Sequence, residues 1–517
     1  MQQKIINREN TSSNYTLASP IGGLNVRDSL DTMNSYDAIV MDNYIPTETK
    51  VALRKGYRSY AALKTKIYTL IEFKKTAYNR LFACGGGKVW DISSKHSIKE
   101  VASAFNNSQW QYVQFRNRLI MVNGYDKPQT FYINDEGKDY WGDIAFNADN
   151  LQLSKLVNVC VSKQRLFFVE KGTFNAWYTQ GVGEVQGSLI KFDMSSVFCK
   201  GGELITIASW TQDAGKGVDD LTAFITSEGE VAIYSGSEPA NADDWHLRGV
   251  YQLSRPIGYR CILPYQGDIV IISEDGYIPM SKALSLDKAN SSQIAFSDKI
   301  RGLVLERTKI SGNKFGWQGI IYGRGGYAIF NVPIAQQFEQ HVVNINTGAW
   351  CRFTNIRSFC WGLFGGRIYF GSDEGVFIFD EGYSDNGTHI YGVVEQAYSD
   401  LGCNNLKRIQ LINPRTKSST KYALVVYTNM DFANQDKAYA ENIGYAGITK
   451  WGDVKWSSID KQIGTKWATL KGKIRSQWIG NSATGFKASV VFKTKTRGNL
   501  IEWYDTGFRY EQGSSIL

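Results

Sequence analysis

The sequence is poor in the residues that catalysis most often uses. It holds four histidines in 517 residues, His96, His246, His341 and His389, in separate segments with no acid or cysteine at ligand spacing. A zinc site or a nucleophile–base pair needs at least two convergent groups, and the sequence places no two together. The seven cysteines, Cys84, Cys160, Cys199, Cys261, Cys351, Cys360 and Cys403, form no CxxC pair. Their number is odd and most sit among apolar strand residues, so buried, reduced thiols in a reducing compartment are expected. No run of five Lys/Arg concentrates the formal charge of +9, and the whole-chain balance therefore says little about partners. No stretch approaches the roughly 20 apolar residues of a membrane span. The start, MQQKIINRENTSSNY, lacks the apolar core of a signal peptide. A soluble protein made in a cytoplasm is expected.

What is abundant is glycine and aromatic side chains: 50 Gly, 29 Tyr, 26 Phe and 14 Trp against 9 Pro. Tight turns between aromatic-rich strands need this mixture, because glycine supplies positive φ and aromatic rings suit a pleated, half-buried surface. The hydrophobic fraction of 43% supplies a core, and 21% charged residues argue against wholesale disorder. From Lys66 onward one pattern returns: an apolar strand, a glycine turn, a second apolar strand. It reads RLFACGGGKVW at 80–90, RLFFVEKGTF at 165–174, LTAFITSEGEVAI at 221–233, DIVIISEDGYI at 268–278 and RIYFGSDEGVFIF at 367–379. Looser copies lie at 118–124 and 319–330. The turn glycines recur about every 48 residues, within the range of propeller repeats, in which each repeat is a four-stranded blade. The expected fold is all-β: a β-propeller over 61–391, which six or seven repeats make six-bladed with one irregular blade, seven blades or a sandwich remaining as alternatives; an N-terminal arm over 1–60 leading into it; and a β-sandwich-like domain over 392–517. Short helices are expected over 34–43 and 282–290. The last domain has strands near 404–413, 421–427, 488–492 and 500–503, with Trp451, Trp456, Trp467 and Trp478 in a Gly/Lys-rich stretch.

The remaining chemical signals read as turns. Gly85–Gly87 with Lys88 lacks P-loop spacing and is followed by a strand, so no helix N-terminus faces a phosphate. The acidic turns at 227–229, 273–276 and 372–375 are too short for a 12-residue calcium loop. Asp219, Asp220, Asp243, Asp244 and Asp275 are the carboxylates available for glycoside hydrolysis, whose requirement is a fixed separation that sequence does not measure. No catalytic residue, metal ligand or cofactor is expected, and no enzymatic activity.

Residues 19–33, SPIGGLNVRDSLDTM, continue through DAIVMDNYIP at 37–46 to VALRKGY at 51–57. This block resembles the start of the tail nozzle or hub proteins of short-tailed bacteriophages, also described as tail tubular or packaged-DNA stabilisation proteins. In them a GGLN-R-D element precedes A-x-x-x-D-N-x-x-P and L-R-x-G-Y elements. The ending YDTGFRYEQG at 504–513 is similar to that family's closing strand, and WHLRGVY at 245–251, PIGYR at 256–260 and 267–276 to its mid-chain blades. The carried-over signature residues are Gly22, Gly23, Leu24, Asn25, Arg27, Asp28, Asp42, Asn43, Pro46, Arg54, Gly56 and Tyr57, with Arg27 and Arg54 as candidates for pairing with acids across a subunit contact. The resemblance implies a structural virion protein: a homohexameric ring around the DNA exit channel of the phage tail, for genome retention and ejection, assembled in the bacterial host cytoplasm. Its implied partners are further copies of itself, portal-side adaptor proteins, tail fibre or distal tail proteins, and double-stranded DNA passing through non-specifically. Positive residues along such a channel bind backbone phosphate with steep salt dependence. A tube that must release DNA should not grip it, so a strongly basic lumen is not expected. Asn34 and Ser35 stand where the family often has prolines, and the chain is shorter than the longest nozzle proteins. Whether the ring closes the channel or only extends the tube stays open. The alternative readings are a glycan-binding propeller and sandwich, and a propeller glycoside hydrolase.

Overall fold

The computed structural model describes residues 12–76, 78–213, 218–284, 296–334, 337–419, 422–433 and 473–513. The chain divides into two compact units, one gathering 1–58, 342–354 and 380–517 and the other 59–341 and 355–379.

In the second unit, six small sheets are arranged as a six-bladed β-propeller. Five blades follow in chain order over 69–102, 111–143, 156–193, 204–252 and 262–279. The sixth joins Cys360–Phe364, Arg367–Gly371 and Gly375–Phe379 to the N-terminal strand Tyr57–Ala62. Closing the ring with strands from both ends of the propeller leaves the last blade no unpaired outer edge at Gly375–Phe379. The turn glycines explain the repeat. Gly87, Gly124, Gly172 and Gly229 lie between the second and third strands of their blades, Gly276 and Gly375 open the third strand of theirs, and all six have positive φ. The remaining copy is out of phase: Gly326 turns between the first two strands of a further set, Gln318–Tyr322, Tyr327–Ile334 and Gln337–Asn344, which belongs to a larger sheet.

Adjacent blades meet through aromatic side chains. Phe131 of the second blade packs edge-on against Phe73 and Phe82 of the first, with ring centroids 5.0 and 4.7 Å apart. Phe167, Phe224, Tyr234 and Trp245 form the corresponding cluster between the third and fourth. Burying each such side chain stabilises the ring of blades by about 1.5–3 kcal/mol, and edge-to-face pairing adds a smaller increment.

The first unit is a β-sandwich. One sheet runs Lys473–Ser476, Lys407–Ser418, Ile501–Gln512, Val51–Leu53, Tyr44–Pro46, with Ser12–Ala18 also paired to Ile501–Gln512. The other carries Trp350–Thr354, Asp37–Asp42, Ile390–Gln396, Ala488–Thr496 and Ala423–Met430. Residues 12–58 therefore contribute strands to both sheets. Phe492 of one sheet stacks on Trp503 of the other at 4.7 Å, and the Tyr44 hydroxyl lies 2.7 Å from Thr494 Oγ1.

Two helix expectations are corrected. Asp37–Asp42 is a strand, because its β-branched Ile39 and Val40 lie in a segment paired with Ile390–Gln396, and that distant pairing overrides the local reading. The helix expected over 282–290 begins earlier, at Met280–Leu284, and 285–295 lie outside the described residues. Arg301–Ser311, not foreseen, is helical with Leu303 and Val304 as its buried apolar residues, too few to impose a visible period.

All seven cysteines are free, with Cys84, Cys261, Cys351 and Cys360 buried and Cys199 exposed. Burial pushes the Cys261 and Cys360 thiols up to about 12, and the Tyr259 and Tyr422 hydroxyls also to about 12. Each folded pKa lies above its unfolded value. The stability these groups contribute is therefore complete below the unfolded thiol pKa near 9 and is lost as pH rises toward 12. Urea midpoints should stay level up to about pH 9 and then fall continuously with alkalinity. A midpoint unchanged at about pH 11 would contradict this.

Candidate functional site

The signature residues converge in the sandwich unit. Gly22 and Gly23 open the approach: the Gly22 N–H donates to Tyr36 O at 2.8 Å. Gly23 has φ +82 and a Cβ there would stand 2.6 Å from Trp350 O. Leu24 is buried beside them. The Asn25 amide fills all four of its hydrogen-bonding positions. Its nitrogen donates to Asp28 and Asp37 at 2.9 and 2.8 Å, and its oxygen accepts the Arg27 and Asp28 N–H groups, each at 3.1 Å. Arg27 pairs with its neighbour Asp28 at the surface, 2.7 Å apart.

A second knot forms around Asn43, a buried residue with φ +61. Its amide nitrogen donates to Thr354 Oγ1 and Tyr391 O, both at 2.8 Å, and its oxygen accepts from Arg54 Nε at 2.7 Å and Thr354 N at 2.9 Å. Arg54 is fully buried and forms a bidentate pair with Asp385, at 2.8 and 2.6 Å. Its remaining donors reach Lys55 O and Thr354 O. Five N–H donors are thus committed within the chain, leaving Arg54 nothing to offer a subunit contact. Arg352 holds Asp42 by a second bidentate pair at 2.7 and 2.8 Å. Pro46 O accepts from the Asn344 amide, Gly56 N–H donates to Gly382 O, and Tyr57 N–H donates to Ser384 O. Burial, reinforced by the Asp385 charge, pushes the Tyr57 hydroxyl up to about 12. The arrangement ties 22–57 to 344–354 and 382–391. It is a structural junction, with buried polar groups fully paired as low-dielectric surroundings require.

The propeller unit contains an axial cavity of about 410 Å³. The inner strands of all six blades line it, and Gln318 and Gly319 of the further set complete its wall. Arg260 reaches across from the far side of the ring. Its guanidinium donates to Tyr68 O at 3.0 Å, Thr69 Oγ1 at 2.7 Å and Trp110 O at 2.9 Å, and lies over the Phe315 ring at 4.8 Å. All these acceptors are uncharged. Tyr112 keeps 39% of its surface while lining the cavity, and desolvation there pushes its hydroxyl up to about 12. Among the described lining residues there is no Asp, Glu or His. The cavity can hold a polar molecule, but it does not supply the two carboxylates glycoside hydrolysis needs.

Of the carboxylates considered from sequence, Asp244 caps a turn by accepting the Ser237 and Glu238 N–H groups at 2.6 and 2.7 Å, which holds its carboxyl below the usual range. Asp275 accepts from the Ser254 hydroxyl. Asp219 and Asp220 lie on the strand Val218–Thr226, and their side chains are outside the described residues. One histidine does meet an acid. His341 Nε2 lies 3.1 Å from Glu339 Oε1, with its Nδ1 2.8 Å from the Tyr277 hydroxyl and Arg307 Nε 2.7 Å from the same Glu339 oxygen. Tyr277, Glu339 and His341 are all buried, which closes the network to substrate.

No family model and no curated protein matches the sequence. Solved structures overlap weakly. An exo-β-1,3-galactanase from Phanerochaete chrysosporium, solved with galactose, aligns at TM-score 0.29 and 9% identity over 77% of this chain and 95% of its own. A protein from Bacteroides fragilis assigned to the 6-phosphogluconolactonases gives TM-score 0.34 and 10% identity, over 60% and 88%. BBS1N, solved in complex with ARL6DN, gives 0.37 and 10%, over 63% and 96%. At these scores the likeness carries nothing about chemistry.

Sequence reasoning passed over Arg260 as a site residue, although it closes the PIGYR element. Its role depends on backbone oxygens 150 to 192 positions away. The Glu339–His341 pair had a readable signal, since alternate residues of a strand share a face. Three of the four clustered tryptophans, Trp451, Trp456 and Trp467, lie outside the described residues, while Trp478 is 47% exposed.

Proposed function

We propose that the chain is a structural virion protein that assembles as a ring, a homohexamer, at the nozzle or hub of a phage tail. The observation that carries this is the convergence of the signature. Three sequence elements, at 22–28, 42–46 and 54–57, stand out by resemblance alone; the last two interlock through Asn43 and Arg54, and the first pairs with the strand Asp37–Asp42 that leads into them. A motif inherited as a unit would behave so, and a chance match over scattered surface positions would not. The propeller's own axis is no route for DNA, because a cavity of about 410 Å³ cannot admit a duplex whose major groove alone is about 12 Å wide. In this reading the channel is formed between copies of the chain, as a ring would provide. Mass spectrometry of purified phage particles should find this chain in the tail at a stoichiometry of six per particle. Its absence from intact particles would overturn the reading.

A second reading, recognition of a saccharide by the propeller, is favoured by the axial cavity, whose mainly apolar wall carries a few polar groups such as Gln111, Tyr112, Ser209 and Arg260, a common form of ligand site.

A further inference from the structure

A second cavity, of about 110 Å³, adjoins the axial one. Gln111, Tyr259 and Arg260 line both. The smaller cavity also presents Lys171 and Lys314. Lys171 Nζ sits 4.0 Å above the Tyr125 ring, and neither lysine nor Arg260 forms an ion pair among the described residues. Two acids stand nearby without ion-pairing to these cations: Glu203 accepts the Gly172 N–H at 2.6 Å and its charge acts on Tyr259, and Asp126 accepts from Asn106, Asn107 and Asn123. Three cations thus face one small cavity whose described lining contains no carboxylate. An excess of positive charge around a small cavity is a focus for an anion. On the axial side, Gln111, Tyr112 and Ser209 line the larger cavity with polar side-chain groups that have no hydrogen-bond partner among the described residues.

We infer that the joined cavities bind an acidic monosaccharide, a uronate or a sugar phosphate. Its anionic group lies between Lys171, Arg260 and Lys314. Its hydroxylated ring passes Tyr259 into the axial cavity, toward Gln111, Tyr112 and Ser209. Charge-assisted hydrogen bonds to the anion supply affinity, and the axial hydroxyl contacts distinguish a sugar from a bare ion. Burial disfavours an uncompensated Arg260 cation, which an incoming anion relieves. This rests on the saccharide-recognising reading of the axial cavity and is independent of the tail ring.

The test is titration calorimetry on the full chain with glucuronate, glucose 6-phosphate, glucose and inorganic phosphate. Both acidic sugars should bind, with glucose and inorganic phosphate about tenfold weaker or worse. The Lys171→Gln/Lys314→Gln variant should lose about tenfold in affinity for both acidic sugars, with glucose unchanged. Both lysines are solvent-accessible, so folding is retained. Gln111→Ala should weaken the acidic sugars and leave inorganic phosphate unaffected. Glucose binding as tightly as the acids would overturn the inference and leave the saccharide reading standing. Binding of none of the three sugars would overturn both, and inorganic phosphate matching glucose 6-phosphate would reduce the site to a simple anion site.

Discussion

Replacing Arg54 by methionine should lower the stability of the sandwich unit by about 3–5 kcal/mol, the usual cost of removing one partner of a buried ion pair. The Arg54 side chain is 0% exposed and that of Asp385 4%. The substitution strands the Asp385 carboxylate without its bidentate partner and removes one of the two donors to the Asn43 oxygen. It also leaves Thr354 O without the Arg54 Nη2 donor at 3.3 Å. Every loss falls in one low-dielectric junction, so relaxation cannot easily share it. The Arg54→Met/Asp385→Leu variant should recover a large part of the loss, because exchanging both partners for apolar groups leaves no uncompensated charge. Differential scanning calorimetry of the three proteins measures both effects. A single variant that melts with the wild type would mean that the pair is worth no more than a surface salt bridge.

Gly375→Val should open the propeller. A Cβ at Gly375 would stand 2.1 Å from Ala61 O and 2.8 Å from Leu63 N, and the residue has φ +140, which valine strongly disfavours. Backbone strain and overpacking each cost about 1–3 kcal/mol, so a total of about 3 kcal/mol or more is expected. The strain falls on the pairing of Tyr57–Ala62 with Gly375–Phe379, the seam that closes the ring, and that pairing gives way. Freed strand edges invite cleavage and aggregation. Limited proteolysis should cut the variant near the seam and leave the wild type intact. Gly172→Ala is the control: Gly172 has φ +77 but nothing within 4 Å of its Cβ position, so only the strain, about 1 kcal/mol, remains. Equal protease resistance of the Gly375 variant and the wild type would show that closure does not depend on this contact.

The parts of the fold that were legible are those fixed by local chemistry. A turn that needs positive φ announces itself as glycine between apolar runs, and the six middle hairpins of the blades were all marked this way. The copy at Gly325 and Gly326 carried the same local signal in a different strand position, so spacing alone overcounted it. What failed was anything decided at a distance. Residues 34–43 look permissive of helix, yet Ala38 pairs with Gln396 and Asp42 with Val393. The same limit governed the sites. Asn25, Asn43 and Arg54 were selected by resemblance, but their partners Asp37, Thr354 and Asp385 show that they hold the sandwich together. Arg260 gave no signal of its own, because an arginine in a loop has no local mark of the carbonyls it will meet across a ring.

The central claim is that this chain works as a ring of copies, and native mass spectrometry of the purified full-length protein tests it most directly. At micromolar concentration and moderate salt the account predicts a species containing six copies of the 58.1 kDa chain. A stable monomer under the same conditions would contradict it.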